Sequence, residues 1–480
     1  MSVRAGCEGV VALPARLEPW QEALCEQPAL LAEWIAEFGS PLNVIDPGPV
    51  ARNAAELQRV AEGFGVDLRI FFARKANKSL ALVDEAHRNA LGIDVASEHE
   101  LRQVLDRGVA AADIVVTAAV KPRALLALCV ESGAVVVIDN EDELRLLAEL
   151  AGHGIRVPLA LRLGPGLGGD RPPTRFGLAR PEIMALLDRY WPAGAATPLT
   201  ITGVHFHLDG YSAADRVTAL AESLGVVEAL RERGHDPDFI DIGGGVPMSY
   251  LDDGAAWDEF WSEHRAGLLG DREPLTFEGH GLGLTAHAFE IIGRPNVYPY
   301  WQQPTRGAWL AGILEAGLRT RAGILTAADA LAAYGLQLRC EPGRSLVDGC
   351  GLTAARVEFR KRRRDGTWLI GVAMNRTQCR STSDDFLVDP LLLRPAEAPS
   401  ASGAIEGYLV GAYCIERELL TWRRLRFPRG VEVGDVVVFP NTAGYLMHIL
   451  ESASHQMPLA RNLVSGRPVT RSSIRSTRTR

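Results

Sequence analysis

A lysine at the end of a short apolar segment is the residue in this sequence that is best suited to chemistry. Lys75 follows the apolar run 68–73 and precedes Ala76-Asn77 and a helical stretch. This pattern predicts a strand that ends near the lysine, so that the ammonium is fixed on rigid backbone. A buried amine has a lowered pKa and readily forms a Schiff base with an aldehyde. Most lysines at strand ends are only solvated charges, so the rest of the sequence must supply the context.

Composition is typical of a globular protein with two or three domains: 480 residues, 47% hydrophobic and 23% charged. The net charge of −8 argues against a general nucleic-acid-binding function. The seven cysteines are widely spaced with no CxxC pair, which favours a reducing compartment and gives no disulfide or zinc framework. No signal peptide and no membrane-spanning run is visible, so we expect a cytoplasmic protein.

Apolar runs alternate with helical patterns from about residue 46 to residue 345. The predicted strands are 68–73, 92–96, 114–118, 134–138, 157–163, 202–207, 239–242 and 336–340. These runs are rich in Val, Ile and Leu and do not alternate with polar residues, which is typical of parallel strands buried on both faces. Eight such units predict an α/β fold with a (β/α)8 TIM barrel. No GxGxxG turn follows a strand, which disfavours a dinucleotide-binding fold.

The sequence changes character outside this region. Strand-like runs joined by turns predict an all-β domain over 346–465, and residues 1–45 are expected to pack against it. Residues 466–480 are an arginine-rich tail that we expect to be disordered. The stretch 250–335 is longer than a barrel connection needs and is interpreted as an insert. We expect its aromatic residues to pack onto the barrel rather than to contact a substrate.

Polar residues recur at the carboxyl ends of the predicted strands, which is the end that carries the active site in a TIM barrel. Glycines at 243–245 let backbone N–H groups approach a phosphate, and Arg344 adds a fixed cation. A buried Glu341 needs a cationic partner such as a protonated pyridine, and the imidazole of His207 can lie flat on an aromatic ring. Together with Lys75, these groups match the aldehyde, phosphate and pyridine of pyridoxal 5′-phosphate (PLP).

Several motifs between residues 45 and 450 resemble the fold type III PLP-dependent amino-acid decarboxylases, the group of diaminopimelate decarboxylase and ornithine decarboxylase. They are FFARKAN (71–77), GIDVASEHEL (92–101), TRFGL (174–178), DIGGGVP (241–247), EPGR (341–344), AMN (373–375), GAYC (411–414) and GDVVVFPNTAGY (434–445). The order and spacing of DIGGG and EPGR are specific to this family. The resemblance implies an alanine racemase-like barrel with a C-terminal β-domain, in a head-to-tail homodimer with two shared sites.

The resemblance also implies how the cofactor is held. Lys75 would carry PLP as a Schiff base, His207 would stack on its ring and Glu341 would pair with its pyridine nitrogen. The other implied cofactor-binding residues are Gly244, Gly245, Arg344 and Tyr445 at the phosphate, with Asp94 and Arg162 as supports.

A reaction follows from the same resemblance. Cys414 of one subunit would reach the partner's site and protonate the carbanion left when CO2 departs. A carboxylate at Glu341 keeps the pyridine nitrogen protonated, which deepens the electron sink and favours decarboxylation over racemisation. We therefore expect a carboxy-lyase that acts on a small amino-acid-type molecule.

Two positions depart from the family pattern. The serine that contacts phosphate after the sixth strand is missing from the segment 207–212, where Ser212 is the candidate replacement. The acidic residue that follows the catalytic cysteine and binds a distal cationic group is Ile415 here. The next residue, Glu416, is expected to point elsewhere. The substrate is thus expected to differ from plain ornithine and from diaminopimelate.

Three other functions are open at this point. A PLP-dependent racemase or epimerase would use Cys414 and Lys75 on opposite faces of the substrate. A non-catalytic regulator with the decarboxylase shape is disfavoured because both of these residues are present. A metal enzyme is disfavoured because no HExxH or CxxC spacing occurs. Its candidate ligands are His205, His207, His280, His287 and Cys340.

Overall fold

Helices and strands alternate along the central part of the chain. The computed structural model describes residues 3–152, 156–168, 174–191, 199–321, 323–381, 386–395, 403–465 and 474–477. The described helices are α1 (Pro19–Cys25), α2 (Pro28–Phe38), α3 (Pro49–Gly63), α4 (Leu80–Arg88), α5 (Glu98–Asp106), α6 (Arg123–Ser132), α7 (Glu141–Ala151), α8 (Arg180–Tyr190), α9 (Ala213–Glu232), α10 (Gly254–Leu269), α11 (Arg306–Leu314) and α12 (Ala327–Ala333). None of these helices combines the length and the apolar character needed to cross a membrane.

The strands fall into a barrel, a large sheet and two hairpins. In chain order they are β1 (Glu8–Gly9), β2 (Leu42–Ile45), β3 (Leu68–Ala73), β4 (Gly92–Val95), β5 (Ile114–Val116), β6 (Val135–Ile138), β7 (Val157–Arg162), β8 (Leu199–His205), β9 (Phe239–Asp241), β10 (Leu284–His287), β11 (Glu290–Gly293), β12 (Gly317–Thr320), β13 (Gly323–Thr326), β14 (Gln337–Cys340), β15 (Gly351–Arg362), β16 (Trp368–Val372), β17 (Leu391–Leu393), β18 (Ile405–Val410), β19 (Leu425–Phe427), β20 (Val436–Phe439), β21 (Arg461–Ser465) and β22 (Ile474–Thr477).

Eight strands close into a parallel barrel in the order β14-β3-β4-β5-β6-β7-β8-β9. The predicted TIM barrel is therefore confirmed. The sixth barrel strand was predicted over 202–207, but it ends at His205 because its pairing with β7 and with β9 stops there. His207 thus lies in the loop beyond the strand rather than at its end.

Glycines and aromatic rings fill the lower part of the barrel interior. A Cβ on Gly92 would meet the ring of Phe71 at 2.3 Å, and a Cβ on Gly203 would meet the ring of Phe239 at 2.4 Å. Side chains alternate along a strand, so the residue two positions later points into the barrel again. At that level the inward residues are polar and buried: Asp94, Arg162, His205, Asp241 and Glu341. Apolar side chains thus form the floor of the barrel interior, and a layer of polar groups lies above them toward the carboxyl end.

The large sheet combines both ends of the chain. Its central strand β15 pairs with β16, β2 and β20, and β2 pairs in parallel with β21. Residues 42–45 therefore lie inside a sheet that is otherwise mostly C-terminal. Sequence analysis did not identify β17 or β21 as strands.

The C-terminal tail differs from its expected disorder at one place. Strand β22, Ile474–Thr477, pairs antiparallel with β21 at the edge of the sheet. Ile and Thr are β-branched and favour an extended backbone, and β21 offers unpaired backbone groups on that side. The remaining residues of 466–480 lie outside the described residues.

The segment between β9 and β14 carries α10, α11, α12 and the hairpins β10–β11 and β12–β13. Most of its aromatic side chains belong to a core that they share with the large sheet, and Phe260 and Tyr300 are almost fully buried there. Trp309 instead packs in the barrel core. The expected packing role thus holds for these side chains, although most of them pack on the sheet and not on the barrel.

Candidate active site

A cavity of about 300 Å³ opens at the carboxyl end of the barrel. The loops after β3, β8, β9 and β14 form most of its wall. The wall residues singled out from the sequence are Lys75, His207, Gly244, Gly245, Glu341, Arg344 and Tyr445. Sequence analysis did not identify Tyr211, Ser381 and Ile449, which also line the cavity.

Lys75 lies in a single helical turn, Arg74–Ala76, directly after β3. Its Nζ is 3.4 Å from Oδ2 of Asp94, and the other oxygen of Asp94 accepts a hydrogen bond from the Thr117 hydroxyl. The predicted lowering of the lysine pKa is wrong for this environment. Burial alone lowers the pKa of Lys75, but Asp94, the phenol of Tyr445 and Glu341 together raise it above its ordinary value. The amine is therefore held as a cation beside Asp94.

Glu341 is a buried wall residue with one satisfied and one unsatisfied oxygen. Its Oε1 lies 3.2 Å from Nε2 of His205. Its Oε2 is buried and has no hydrogen-bond partner among the described residues. Burial, and after it the charge of Asp94, raises the pKa of Glu341 to about 8. An unpaired acceptor on a cavity wall is what a protonated ring nitrogen would satisfy.

His207 presents an uncharged imidazole to the cavity. Its Nδ1 accepts a hydrogen bond of 3.2 Å from the backbone N–H of Gly244, which places the ring proton on Nε2. Burial, together with the charges of Lys75 and Arg162, holds the pKa of His207 well below its usual value. The ring is thus neutral and suited to lie against an aromatic ligand. It is fixed by the loop that contains Gly243–Gly245, called the glycine loop below.

Arg344 is surrounded by tyrosines. It donates to Oη of Tyr250 at 3.1 Å and to the carbonyl of Gly444 at 2.9 Å, and its guanidinium lies 4.0 Å from the ring centre of Tyr298. Burial lowers the pKa of Arg344, but the neighbouring phenols raise it further, so the group stays charged. Because the groups that hold the charge are phenols and not a carboxylate, the guanidinium is available to bind an anion in the cavity.

Arg216, in the first turn of α9, is a buried arginine that sequence analysis did not identify. Its Nη2 donates to the carbonyls of Leu208, Gly210 and Gly244 at 3.1, 2.7 and 3.3 Å. A Cβ on Gly245, which has a φ of +77°, would meet this nitrogen at 2.1 Å. Arg216 therefore links the loops after β8 and β9, because its guanidinium donates to carbonyls of both.

The glycine loop has free donors on the cavity wall. Within the part of the chain that the structure describes, the backbone N–H groups of Gly245 and Val246 donate to no protein acceptor. Both residues line the cavity. Backbone N–H groups near a cation are a common phosphate site. Ser212 is not the missing phosphate serine, because it caps α9 by accepting from the Asp215 N–H and does not line the cavity.

Asp94 and Arg162 do not line the cavity, but they lie next to residues that do. Asp94 touches Lys75, as described above. Arg162 is buried, lies 3.3 Å from Asp139 and stacks over the ring of Phe176 at 4.2 Å. Both residues therefore act on the cavity through its wall residues.

Cys414, Ile415 and Glu416 do not line this cavity. They follow β18 on the surface of the sheet, and all three are exposed. The backbone N–H of Cys414 donates to Nε2 of His455 at 3.4 Å. The other six cysteines are buried. Within one subunit the structure therefore does not bring Cys414 together with Lys75.

The structure does not gather the sequence-predicted metal ligands. His280 stacks on Trp422 at 3.9 Å, and His287 is an exposed residue of β10. Among the described residues, one group of three has close ligand atoms, and it includes only His205 of the predicted set: the ligand atoms of His205, Asp241 and Glu341 lie within 4.8 Å of one another.

The chain is similar to one known family over part of its length and to individual proteins over more of it. The family described as "Pyridoxal-dependent decarboxylase, pyridoxal binding domain" matches residues 50–266. An uncharacterised protein of Sinorhizobium fredii, y4yA, is 31% identical over 90% of this chain and 88% of its own length. The diaminopimelate decarboxylase of Zymomonas mobilis is 28% identical over 48% of this chain, and the chain spans 57% of that enzyme's length.

Solved structures share the fold. Diaminopimelate decarboxylase from Helicobacter pylori, complexed with L-lysine, superposes with a TM-score of 0.66 at 17% identity and covers 92% of this chain and 95% of its own. Arginine decarboxylase of Paramecium bursaria Chlorella virus superposes with a TM-score of 0.61 at 16% identity, over 91% of this chain and 99% of its own.

The cavity fits the cofactor of these proteins in three places. Among the described residues, the unpaired Oε2 of Glu341 suits a pyridinium, the unbonded N–H groups of Gly245 and Val246 share the cavity wall with Arg344 and suit a phosphate, and Lys75 supplies an amine. PLP is thus the cofactor for which this cavity is built. The chain belongs to the fold type III PLP-dependent decarboxylases.

Proposed function

We propose that the protein decarboxylates an amino acid, or an amino-acid-bearing molecule, with Lys75 as the amine that holds PLP. Bound PLP supplies an aldehyde for that amine and a pyridine ring that accepts the electrons released when CO2 departs. The observation that carries the proposal is Glu341 on the cavity wall, whose buried Oε2 has no hydrogen-bond partner within the part of the chain that the structure describes. A carboxylate in this position favours a protonated ring nitrogen and so a strong electron sink.

The other residues at the cavity position the cofactor. His207 packs as a neutral ring against the pyridine face, since the glycine loop holds its Nδ1. Arg344 and the glycine-loop N–H groups bind the phosphate. Asp94 orients the amine by accepting a hydrogen bond from Nζ of Lys75 at 3.4 Å.

The proton donor comes from a second copy of the chain. Cys414 is exposed and lies outside the cavity of its own subunit, so a second subunit must bring it to the site. Exposed apolar side chains accompany it: Ile415, Leu450 and the wall residue Ile449 are 46%, 40% and 40% exposed. A patch of this kind that reaches a cavity wall supports a homodimer with shared active sites.

Release of CO2 tests the reaction directly. We expect the PLP-loaded protein to release CO2 from at least one member of a panel of amino acids, with one amine formed for each CO2. Recovered substrate should keep its chirality. Exchange of the α-hydrogen with loss of chirality, and no CO2 from any substrate that reacts, would contradict decarboxylation and indicate a racemase.

The substrate is expected to lack a distal ammonium group. Ile415 occupies the position where a carboxylate would pair with such a group. Replacing Ile415 with Asp should raise kcat/KM for ornithine by about tenfold or more, since a hydrogen bond to a charged group contributes about 1.5–3 kcal/mol. Ile415→Asn is the matched control, because asparagine has the size of aspartate and carries no charge. Equal ornithine turnover by both variants would contradict this assignment.

Arg216 should control cofactor affinity through the glycine loop. Lysine has a flexible stem and lacks the planar guanidinium that holds Arg216 between the two loops, so Arg216→Lys is expected to weaken PLP binding by about tenfold or more. Arg231 on the same helix also donates to carbonyls, those of Pro237 and Tyr334, but away from the cavity, and Arg231→Lys serves as the control. Titration of the two variants with PLP and with inorganic phosphate makes the comparison. Similar affinities in both variants would show that Arg216 does not shape the phosphate site.

A further inference from the structure

Asp241 is a buried carboxyl group that the proposed reaction does not use. It ends β9, is 0% exposed, and neighbours His205 in the barrel ladder. Its Oδ1 accepts a hydrogen bond of 2.8 Å from the N–H of Gly243. Its Oδ2 is buried without a hydrogen-bond partner in the described residues.

Asp241 and Glu341 have the same pattern of bonding. Each has one oxygen with a polar neighbour, the N–H of Gly243 for Asp241 and Nε2 of His205 for Glu341, and one buried oxygen without a hydrogen-bond partner among the described residues. Oxygens of the two carboxyls and a ring nitrogen of His205 lie within 4.8 Å of one another. Two ionised carboxylates have no hydrogen to share, whereas one proton between them turns one oxygen into a donor and the other into its acceptor.

The surrounding charges do not remove the need for that proton. Lys75 and Arg162 face Glu341, and Arg339 faces Asp241, while Asp94 adds a further negative charge. Lys75 and Arg162 already have Asp94 and Asp139 as close partners.

The neighbouring imidazole does not supply the missing charge. Burial lowers the pKa of His205 to about 3, so its ring is neutral and cannot balance a second buried anion. Burial also raises the pKa of Asp241 to about 7, with Glu341 as the next cause. Buried carboxyls this close do not both ionise near neutral pH.

We propose that Asp241 and Glu341 share one proton, and that Asp241 holds this proton whenever Glu341 faces a cation. Asp241 is then the positioning residue that keeps the negative charge on Glu341. The pair then carries one negative charge in the cofactor-free protein and in the loaded protein. In the loaded protein that charge lies on Glu341, the residue that meets the pyridine ring. This second half of the proposal, the location of the charge in the loaded protein, rests on the proposed function.

Infrared spectroscopy of the full-length protein without cofactor tests the shared proton. The difference spectrum between the unaltered protein and Asp241→Asn, recorded near neutral pH, should show the C=O band of a protonated carboxylic acid. Glu341→Gln should lose the same band, because an amide donor at either position lets the remaining carboxyl ionise. Asp236→Asn, at an exposed residue in the loop before β9, should keep it. Persistence of the band in both Asp241→Asn and Glu341→Gln would overturn the proposal, and so would its absence from the unaltered protein.

Three further measurements test this proposal: stability as a function of pH, the infrared band of the loaded protein, and the divalent-ion content. Because burial raises the pKa of both carboxyls, the stabilising effect of the shared proton is lost progressively as pH rises from about 4, the ordinary carboxyl pKa, to about 8. The unaltered cofactor-free protein should therefore lose stability relative to Asp241→Asn over that range, and a constant difference would contradict the proposal. In the loaded protein the acid band should remain, and Asp241→Asn should remove it. Its loss on loading would overturn the second half, while CO2 release tests the proposed function independently. A stoichiometric divalent ion in the purified protein would also overturn the shared proton.

Discussion

Replacing Lys75 with alanine is expected to abolish decarboxylation and to prevent covalent attachment of PLP. Among the described residues, Lys75 is the one lysine on the cavity wall, and its amine is oriented by the buried Asp94. Loss of the covalent step should lower kcat by at least about 10,000-fold, which corresponds to roughly 5.4 kcal/mol at about 1.36 kcal/mol for each factor of ten. Steady-state CO2 release by the purified variant, with saturating PLP, measures the effect.

Lys78 provides the matched control for that experiment. It lies three residues away, is exposed, and does not line the cavity. Lys78→Ala should keep both the activity and the visible absorbance of the bound cofactor. A Lys75→Ala protein that releases CO2 at the rate of Lys78→Ala would contradict the role of Lys75.

The second large effect is expected at Cys414. Replacing this thiol with alanine should lower kcat by about 100- to 10,000-fold, the usual contribution of a general acid, and should leave PLP affinity unchanged. Product analysis adds a test of role, because a missing proton donor increases side products formed from the carbanion. An unchanged kcat in Cys414→Ala would exclude the thiol as donor.

Subunit mixing shows whether Cys414 acts in the partner's site. In a mixed dimer of Lys75→Ala and Cys414→Ala chains, one site carries both substitutions and the other carries neither. Random re-association of the two inactive variants should therefore restore about one quarter of the activity. No recovery after demonstrated exchange of subunits would mean that both residues belong to the same chain's site.

The barrel could be predicted from the sequence because its strands are nearly continuous apolar runs. Val135–Ile138 is an example in which every residue is buried. The polar groups at the strand ends were also predictable, since a parallel barrel brings the carboxyl ends of all its strands to one face. Lys75, Glu341 and the glycine loop accordingly meet in one cavity.

Features that depend on the packing of distant segments could not be predicted. Arg216 resembles any arginine in an amphipathic helix, and only the approach of the two glycine-containing loops reveals its role. Tyr298 reaches Arg344 from the long segment before β14, where the sequence carries no signal of the contact. Ser212 was expected near the phosphate, but its position at the start of α9 makes it a helix cap.

The pKa of Lys75 shows the same limit for electrostatics. A lysine considered with its own strand is expected to lose its proton on burial. In the folded protein the charges of Asp94 and Glu341 arrive from two other strands, and they outweigh burial. The sign of such a shift depends on a sum over neighbours that are far apart in the sequence.

Borohydride reduction of the PLP-loaded protein, followed by peptide mass mapping, tests the central claim most directly. The chain has four lysines, Lys75, Lys78, Lys121 and Lys361, so the attachment site can be assigned without ambiguity. Lys121 is buried but is paired with Glu143 at 2.9 Å, away from the cavity. We predict one phosphopyridoxyl group for each chain, on the peptide that contains Lys75. A label on any other lysine, or no label at saturating PLP, would contradict the account.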